Sequence, residues 1–163
     1  ALAALKSRKP CVLDADALSS FAADPDELVD ALHANVVLTP HEGEFARVFP
    51  EIGPAAGKLA RVRAAARASG ATIVLKGPDT VIARPDGLAV INSNAPPSLA
   101  MAGSGDVLAG MIAGLMALGM RPYMAAAGGV WLQGRAATLA GEFPLIEDIN
   151  TYIKPALLEV PRI

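Results

Sequence analysis

The chain has 163 residues, a length suited to one domain with enough chain to bury a sizeable core. Apolar residues make up 53% but aromatics only 4%, so Ala, Val, Leu, Ile and Met are expected to build that core, with Trp131 and the five methionines inside it. A net charge of −2 without a basic stripe excludes a broad nucleic-acid surface, and a single cysteine excludes an internal disulfide.

Residues 1–7 read as the end of a helix rather than the beginning of a domain, with no initiator Met, so the chain is expected to be the carboxy-terminal part of a larger one. Lys6, Arg8 and Lys9 interrupt any signal peptide, and Cys11 sits in an apolar run as a buried small hydrophobe. A soluble, cytoplasmic protein in a reducing compartment is expected. Cys11-Val12-Leu13 predicts a strand ending in Asp14-Ala15-Asp16. A helix follows over 25–34, with Asp24 as its cap, Pro25 in its first turn and His33 within it as a structural residue. Val36-Val37-Leu38 is a second strand, closed by Thr39-Pro40. Gly43 to Phe49 predicts a short helix and Pro54 to Ser69 a longer one, stopped by Gly70. Lys58, Arg61, Arg63 and Arg67 read as its solvated face.

Thr72 to Leu75 is a third continuously apolar strand, so strands and helices alternate as in a parallel sheet covered on both faces. Thr80–Ala83 and Leu88–Ile91 flank Arg84-Pro85-Asp86-Gly87, a small hairpin. Two Ala-, Gly- and Met-rich helices are expected over 106–118 and 123–140, and a last one over 149–158 interrupted by Pro155. The apolar run from Val107 to Met120 is too short for a membrane span, which needs roughly 20 residues.

In an α/β sheet, ligands bind beyond the carboxyl ends of the strands. Those ends carry Asp14 and Asp16, then Thr39 to Glu44, then Lys76 to Thr80. The strongest signal is Ala102-Gly103-Ser104-Gly105-Asp106, running directly into an apolar helix. Glycines let backbone N–H groups converge there, and the helix start adds unpaired donors, which together suit phosphate. Asp106 is either the helix cap or a base beside the anion hole, and the residues alone leave both open.

The run from Gly103 to Gly110 resembles the GxGD signature of the ribokinase-like superfamily. Val12–Leu18, Leu38–Glu44, Leu75–Thr80, Asn94–Pro97 and Val130–Gly134 extend the match in order along essentially the whole chain, 1–163. Together they resemble the carbohydrate-kinase-like domain of the ADP-dependent NAD(P)H-hydrate dehydratases. Two departures stand out: the family's amino-terminal glycine-rich turn has no counterpart, and Met101 replaces a common Thr.

The resemblance implies a ribokinase-like, Rossmann-like α/β fold, with a mostly parallel sheet, helices on both faces and a small hairpin. It implies nucleotide-dependent dehydration of hydrated NADH and NADPH, with ADP or ATP and Mg2+ as cofactors. Asp106 is then the catalytic base that also meets the substrate, and Gly103, Ser104 and Gly105 form the anion hole. Lys76, Gly77, Pro78, Asp79 and Thr80 hold the nucleotide with Gly105, His41 contacts the hydrated cofactor, and Glu44 acts on the metal through water. It further implies a homo-oligomer, fused to or paired with an NAD(P)HX epimerase. A kinase of the same fold acting on a small alcohol, and an inactive nucleotide-binding module, are the alternatives. His41 instead of Asn favours the dehydratase. With the sheet's first strands absent, 1–163 is not expected to be a stable, active monomer by itself.

Overall fold

Side-chain alternation along each short strand divides the core in two. The computed structural model describes residues 1–160. In it β1 (Cys11–Leu13), β2 (Val36–Leu38), β3 (Thr72–Leu75), β4 (Thr80–Ala83) and β5 (Ala89–Asn92) form one sheet in that order. β1 pairs parallel to β2, and β2 to β3, placing Val12 beside Val37 and Leu38 beside Ile73. The pairs β3–β4 and β4–β5 are antiparallel. The sheet is therefore mixed rather than mostly parallel, because the hairpin is not a separate unit but continues the main sheet. Its turn is closed by Arg84 N–H to the Leu88 carbonyl and Gly87 N–H to the Arg84 carbonyl, with Gly87 at φ 91°. That positive φ is where glycine costs least.

On one face Val36, Leu38, Ile73 and Leu75 pack against Leu28 of α3 (Pro25–Ala31), Phe45 of α4 (Glu42–Val48) and Val62 of α5 (Lys58–Ser69). Two short helices at the amino-terminal side, α1 (Leu2–Lys6) and α2 (Asp16–Ser19), add Leu5 and Leu18 to this layer. The other face presents Val37, Val74 and Ile82 to α6 (Ser104–Ala117) and α7 (Pro122–Ala140), through Leu108, Ile112 and Val130. Period-2 alternation in β2 thus feeds both layers. Each large apolar side chain so buried stabilises the fold by roughly 1.5–3 kcal/mol. α8 (Ile146–Leu158) packs on α7 through Ile149 and Ala156 against Leu132 and Ala136. The small residues have a purpose at the α6–α7 crossing. A Cβ on Gly129 would stand 2.7 Å from Ile112 Cγ1 and 3.5 Å from the Ile112 backbone nitrogen.

Several local expectations change. α5 begins at Lys58 after an N-cap at Gly57, not at Pro54, and ends at Gly70 in the left-handed conformation, as its sequence predicts. Asp24 caps α3 by accepting the Glu27 N–H at 3.3 Å. α3 stops at Ala31, so His33 lies beyond it rather than within it. There its Nε2 is 3.2 Å from the Leu5 carbonyl, and its Nδ1 accepts the Asn35 N–H, a structural role. Of the basic residues on α5 only Arg67 is exposed, so they do not form a solvated face. Lys58 pairs with Asp79, Arg61 pairs with Glu42 over the Phe45 ring, and Arg63 Nε donates to the Gly87 carbonyl at 2.9 Å. Trp131, at 37% exposure, is not core, and Met120 and Met124 are also exposed; only Met116 is fully inside. Cys11 is half-buried against the core, and burial raises its thiol pKa. α8 begins at Ile146, earlier than its pattern predicts, where the Leu145 N–H donates to Asp148, and Pro155 lies inside it. Among the described residues no helix is long and apolar enough to cross a membrane.

Candidate active site

Because β1, β2 and β3 run parallel, their carboxyl ends meet on one rim. Asp14 directly follows β1 and Lys76 directly follows β3, and the ammonium of Lys76 lies 2.8 Å from Asp14 Oδ1. Glu44, on the first turn of α4, places Oε2 3.9 Å from the same ammonium. All three side chains are largely buried. Between Asp14 and α2 the backbone of Ala15 adopts φ 47° and ψ −119°, a conformation that costs a non-glycine residue roughly 1–3 kcal/mol.

The start of α6 stands over this rim. A Cβ on Gly105 would lie 3.3 Å from Asp14 Oδ2 and 3.4 Å from Lys76 Nζ, so glycine here permits a close approach rather than an unusual φ. The N-cap is Gly103 at φ 83°, not Asp106. Asp106 occupies the first turn, exposed, without a side-chain hydrogen bond among the described residues; its reading as a cap therefore falls. Ser104 commits both its donors, N–H at 3.3 Å and Oγ at 2.9 Å, to the Met101 carbonyl. The N–H groups of Gly105 and Asp106 meet no acceptor among the described residues. They form the open donor pair at a positive helix end. Of the three residues expected in that role, Gly103, Ser104 and Gly105, only Ser104 has its N–H engaged; the Gly103 N–H likewise meets no acceptor among the described residues.

His41 caps α4. Its Nδ1 accepts the N–H groups of Gly43 at 3.0 Å and Glu44 at 3.3 Å, and Glu44 Oε2 accepts the His41 N–H at 2.8 Å. The ring proton in this arrangement sits on Nε2, 3.5 Å from Glu44 Oε1. The side chain is 57% exposed, leaving its outer edge open to a ligand.

A cleft of about 420 Å³ opens between the 76–80 turn, the 95–100 segment and the start of α6. Lys76, Gly77, Pro78 and Thr80 line it. Asp79 is not among them, because its side chain is exposed and holds Lys58 at 2.9 Å, a bond that also lowers the carboxyl's pKa. Pro96, Pro97, Leu99, Leu108 and Val130 make an apolar wall, while Lys76 and Gly105 supply a polar end. Ala100 belongs to the wall but Met101 does not; Met101 packs against the α7–α8 core.

Three participants have no role assigned from sequence. Asp14 is visible there as a polar residue at a strand end and within the matching Val12–Leu18 run, with no role attached. Gln133, buried and lining the cleft, donates Nε2 to the Ser104 carbonyl at 2.6 Å and fixes the start of α6. Asn94 similarly ties the 95–100 wall to α7 by donating to the Trp131 carbonyl at 2.8 Å. Asp16, by contrast, is exposed and lines a separate shallow hollow beside α1. Among the described residues no three His, Cys, Asp or Glu side chains converge to hold a metal. An apolar wall with one cation and free N–H groups at its end suits an organic phosphate.

Comparison with known proteins agrees with this chemistry. The family model described as NAD(P)H-hydrate dehydratase matches residues 2–157. A bifunctional NAD(P)H-hydrate repair enzyme of Salinibacter ruber is 42% identical over 155 residues, covering 94% of this chain and 28% of that protein. An ADP-dependent (S)-NAD(P)H-hydrate dehydratase of Neisseria meningitidis is 42% identical over 137 residues, covering 82% of this chain and 46% of that one. The chain thus spans less than half the length of these curated relatives. The Bacillus subtilis ADP/ATP-dependent NAD(P)H-hydrate dehydratase, co-crystallised with ATP/Mg2+ and soaked with CoA, superposes with a TM-score of 0.72 at 28% identity. That match covers 91% of this chain and 56% of that one. A hydroxyethylthiazole kinase of Pyrococcus horikoshii shares the fold, with a TM-score of 0.75 at 21% identity, over 99% of this chain and 64% of its own.

Proposed function

The chain belongs to the NAD(P)H-hydrate dehydratase family, and on that premise we propose that it carries the nucleotide-dependent dehydration of hydrated NADH and NADPH. One observation carries the reading: a free carboxylate, Asp106, shares the first turn of α6 with unpaired N–H groups beside Lys76. Asp106 takes the proton from the ring hydroxyl as that oxygen attacks the terminal phosphate of ADP or ATP. The bond between that phosphate and the rest of the nucleotide breaks, releasing AMP or ADP; phosphate then leaves with the former hydroxyl oxygen, expelled by the ring nitrogen's lone pair, and loss of a proton from the adjacent ring carbon to solvent restores the nicotinamide double bond. Phosphate is a far better leaving group than hydroxide. The N–H groups of Gly105 and Asp106, with Lys76, meet charge on the transferred group, an effect often worth several kcal/mol. The adenosine portion lies along Gly77, Pro78 and Thr80 against the apolar wall, with its phosphates directed to Gly105.

Magnesium fits as an ion carried by the nucleotide. With no preformed cluster of ligands among the described residues, the phosphates supply most of its coordination and Glu44 acts through water. The ion supplies neutralisation of phosphate charge. His41 presents its exposed edge to the hydrated cofactor. A cytoplasmic location, homo-oligomeric assembly and an NAD(P)HX epimerase as fused or separate partner complete the proposal.

The test uses the complete polypeptide. Hydrated NADH with ADP or ATP is expected to regain reduced-nicotinamide absorbance and release phosphate. Stable phosphorylation of a small alcohol, with hydrated cofactor untouched, would instead make it a kinase of the same fold.

A further inference from the structure

We infer that Asp14 is a positioning residue for the reaction, holding the Lys76 ammonium at the anion site. The inference rests on the dehydratase reading above and extends it to a residue that touches neither substrate nor phosphate.

Lys76 sits in an electrostatic misfit. The amino-terminal end of a helix carries partial positive charge, so a lysine ammonium is not drawn there by the helix itself. Yet Lys76 Nζ lies 3.4 Å from where a Cβ on Gly105 would stand, in the first turn of α6. Two carboxylates oppose the repulsion. Asp14 holds the ammonium at 2.8 Å, whereas Glu44 is 3.9 Å away and already accepts the His41 N–H. Asp14 therefore decides where the cation sits, and Glu44 marks where it would go if released.

Asp14 is itself held. Its side chain is only 10% exposed, and its Oδ2 lies 3.3 Å from the Gly105 Cβ position, against α6. The next residue, Ala15, leaves β1 in the sparsely populated conformation at φ 47°. Strain of this kind persists where surrounding structure fixes it, and it concentrates at functional sites. The cation, free N–H groups and Asp106 are thus kept in register by contacts that do not use the ligand.

The experiment compares Asp14→Asn with wild type in the complete protein. Hydrated NADH turnover, ADP or ATP affinity by calorimetry, and thermal melting are measured together. Misplacing a catalytic group by about 1 Å can cost roughly 100-fold, so kcat is expected to fall between roughly 10- and 100-fold. Nucleotide Kd is expected to change by no more than a few-fold, because losing a negative charge beside the phosphates offsets the displacement of the Lys76 ammonium. A merely structural pair would lower the melting temperature and weaken binding while leaving kcat of the folded fraction unchanged. In a Lys76→Met background, Asp14→Asn is expected to add nothing further, since its effect passes through the lysine. Additive losses, or wild-type kcat in Asp14→Asn, would overturn the inference. Should Asp14→Asn fail to melt cooperatively, Asp14→Glu is read in its place. It keeps the charge but moves it by one methylene, and wild-type kcat there would equally overturn the inference. Wild-type protein unable to dehydrate hydrated NADH would overturn the dehydratase reading and this inference with it, an outcome distinct from a null effect of Asp14→Asn in an active enzyme.

Discussion

Lys58 reaches from the first turn of α5 to Asp79, donating to its backbone carbonyl at 2.8 Å and its carboxylate at 2.9 Å. The contact lies behind the 76–80 turn, so the charge that sequence placed in the nucleotide site instead holds the turn from outside. Lys58→Met is expected to release the turn and weaken ADP binding by roughly 3- to 10-fold, about 0.7–1.4 kcal/mol. Calorimetric titration checks it; unchanged affinity would mean that the turn keeps its shape without the tether.

The same pair predicts a pH dependence with a definite sign. The Lys58 hydrogen bond holds the Asp79 carboxyl below its ordinary pKa. A depressed folded-state pKa contributes stability above the unfolded value, and loses it as pH falls through the folded one. Asp79 is mostly exposed, so screening keeps the effect small. The melting difference between wild type and Asp79→Asn is expected to hold from neutral pH to about 5, and to shrink below about 4. A difference that grows in acid would contradict the assignment.

Asp106→Asn separates chemistry from folding. The carboxylate caps nothing, so only its favourable interaction with the helix end is lost, about 1 kcal/mol at most. As the general base its replacement is expected to lower turnover by roughly 10²–10⁴. Turnover within a few-fold of wild type would remove Asp106 from the chemistry.

Much of this was legible in the residues, and the misses have separate causes. Val36–Leu38 and Thr72–Leu75 are apolar on both faces because helices cover both, and that pattern is local. The Gly-rich run before Val107 likewise announces a helix start whose donors are free. The pairing of β4 with β3 is close in sequence, Leu75 beside Val81 across the 76–79 turn, but that turn reads as a ligand loop and so hides the second hairpin that joins β4 to the main sheet, antiparallel. Trp131 looks like core by composition, yet it stays partly exposed because the face of α7 that packs inward carries Ala, Val and Gly instead. Asp14 and Lys76 are 62 positions apart, and only the parallel register of β1, β2 and β3 brings their ends together.

Gly134 offers a test of the cleft wall. A Cβ there would collide with the Asn94 side-chain amide, which ties the wall to α7 through the Trp131 carbonyl. Gly134→Ala favours α7 by propensity, by up to about 1 kcal/mol. It is nonetheless expected to displace Asn94 and weaken nucleotide binding roughly 10-fold. Wild-type affinity would show that Asn94 can move without carrying Ala95 and Pro96 with it.

Gly105→Ala pits helix propensity against the geometry of the site. Gly105 lies in the first turn of α6 and has no positive φ, so alanine meets no backbone strain and gains only part of the roughly 1 kcal/mol that a helix interior would give it. The new methyl would stand 3.3 Å from Asp14 Oδ2 and 3.4 Å from Lys76 Nζ, near enough that the pair must shift by a few tenths of an ångström. It would also crowd the open N–H groups where the transferred phosphate is proposed to bind. Stability and activity should therefore part: a melting temperature at or slightly above wild type, with kcat down by roughly 10-fold or more. Thermal melting beside the hydrated-NADH assay decides it. A variant both stable and fully active would mean that the phosphate does not approach α6 at this residue, and that the site lies elsewhere along the rim.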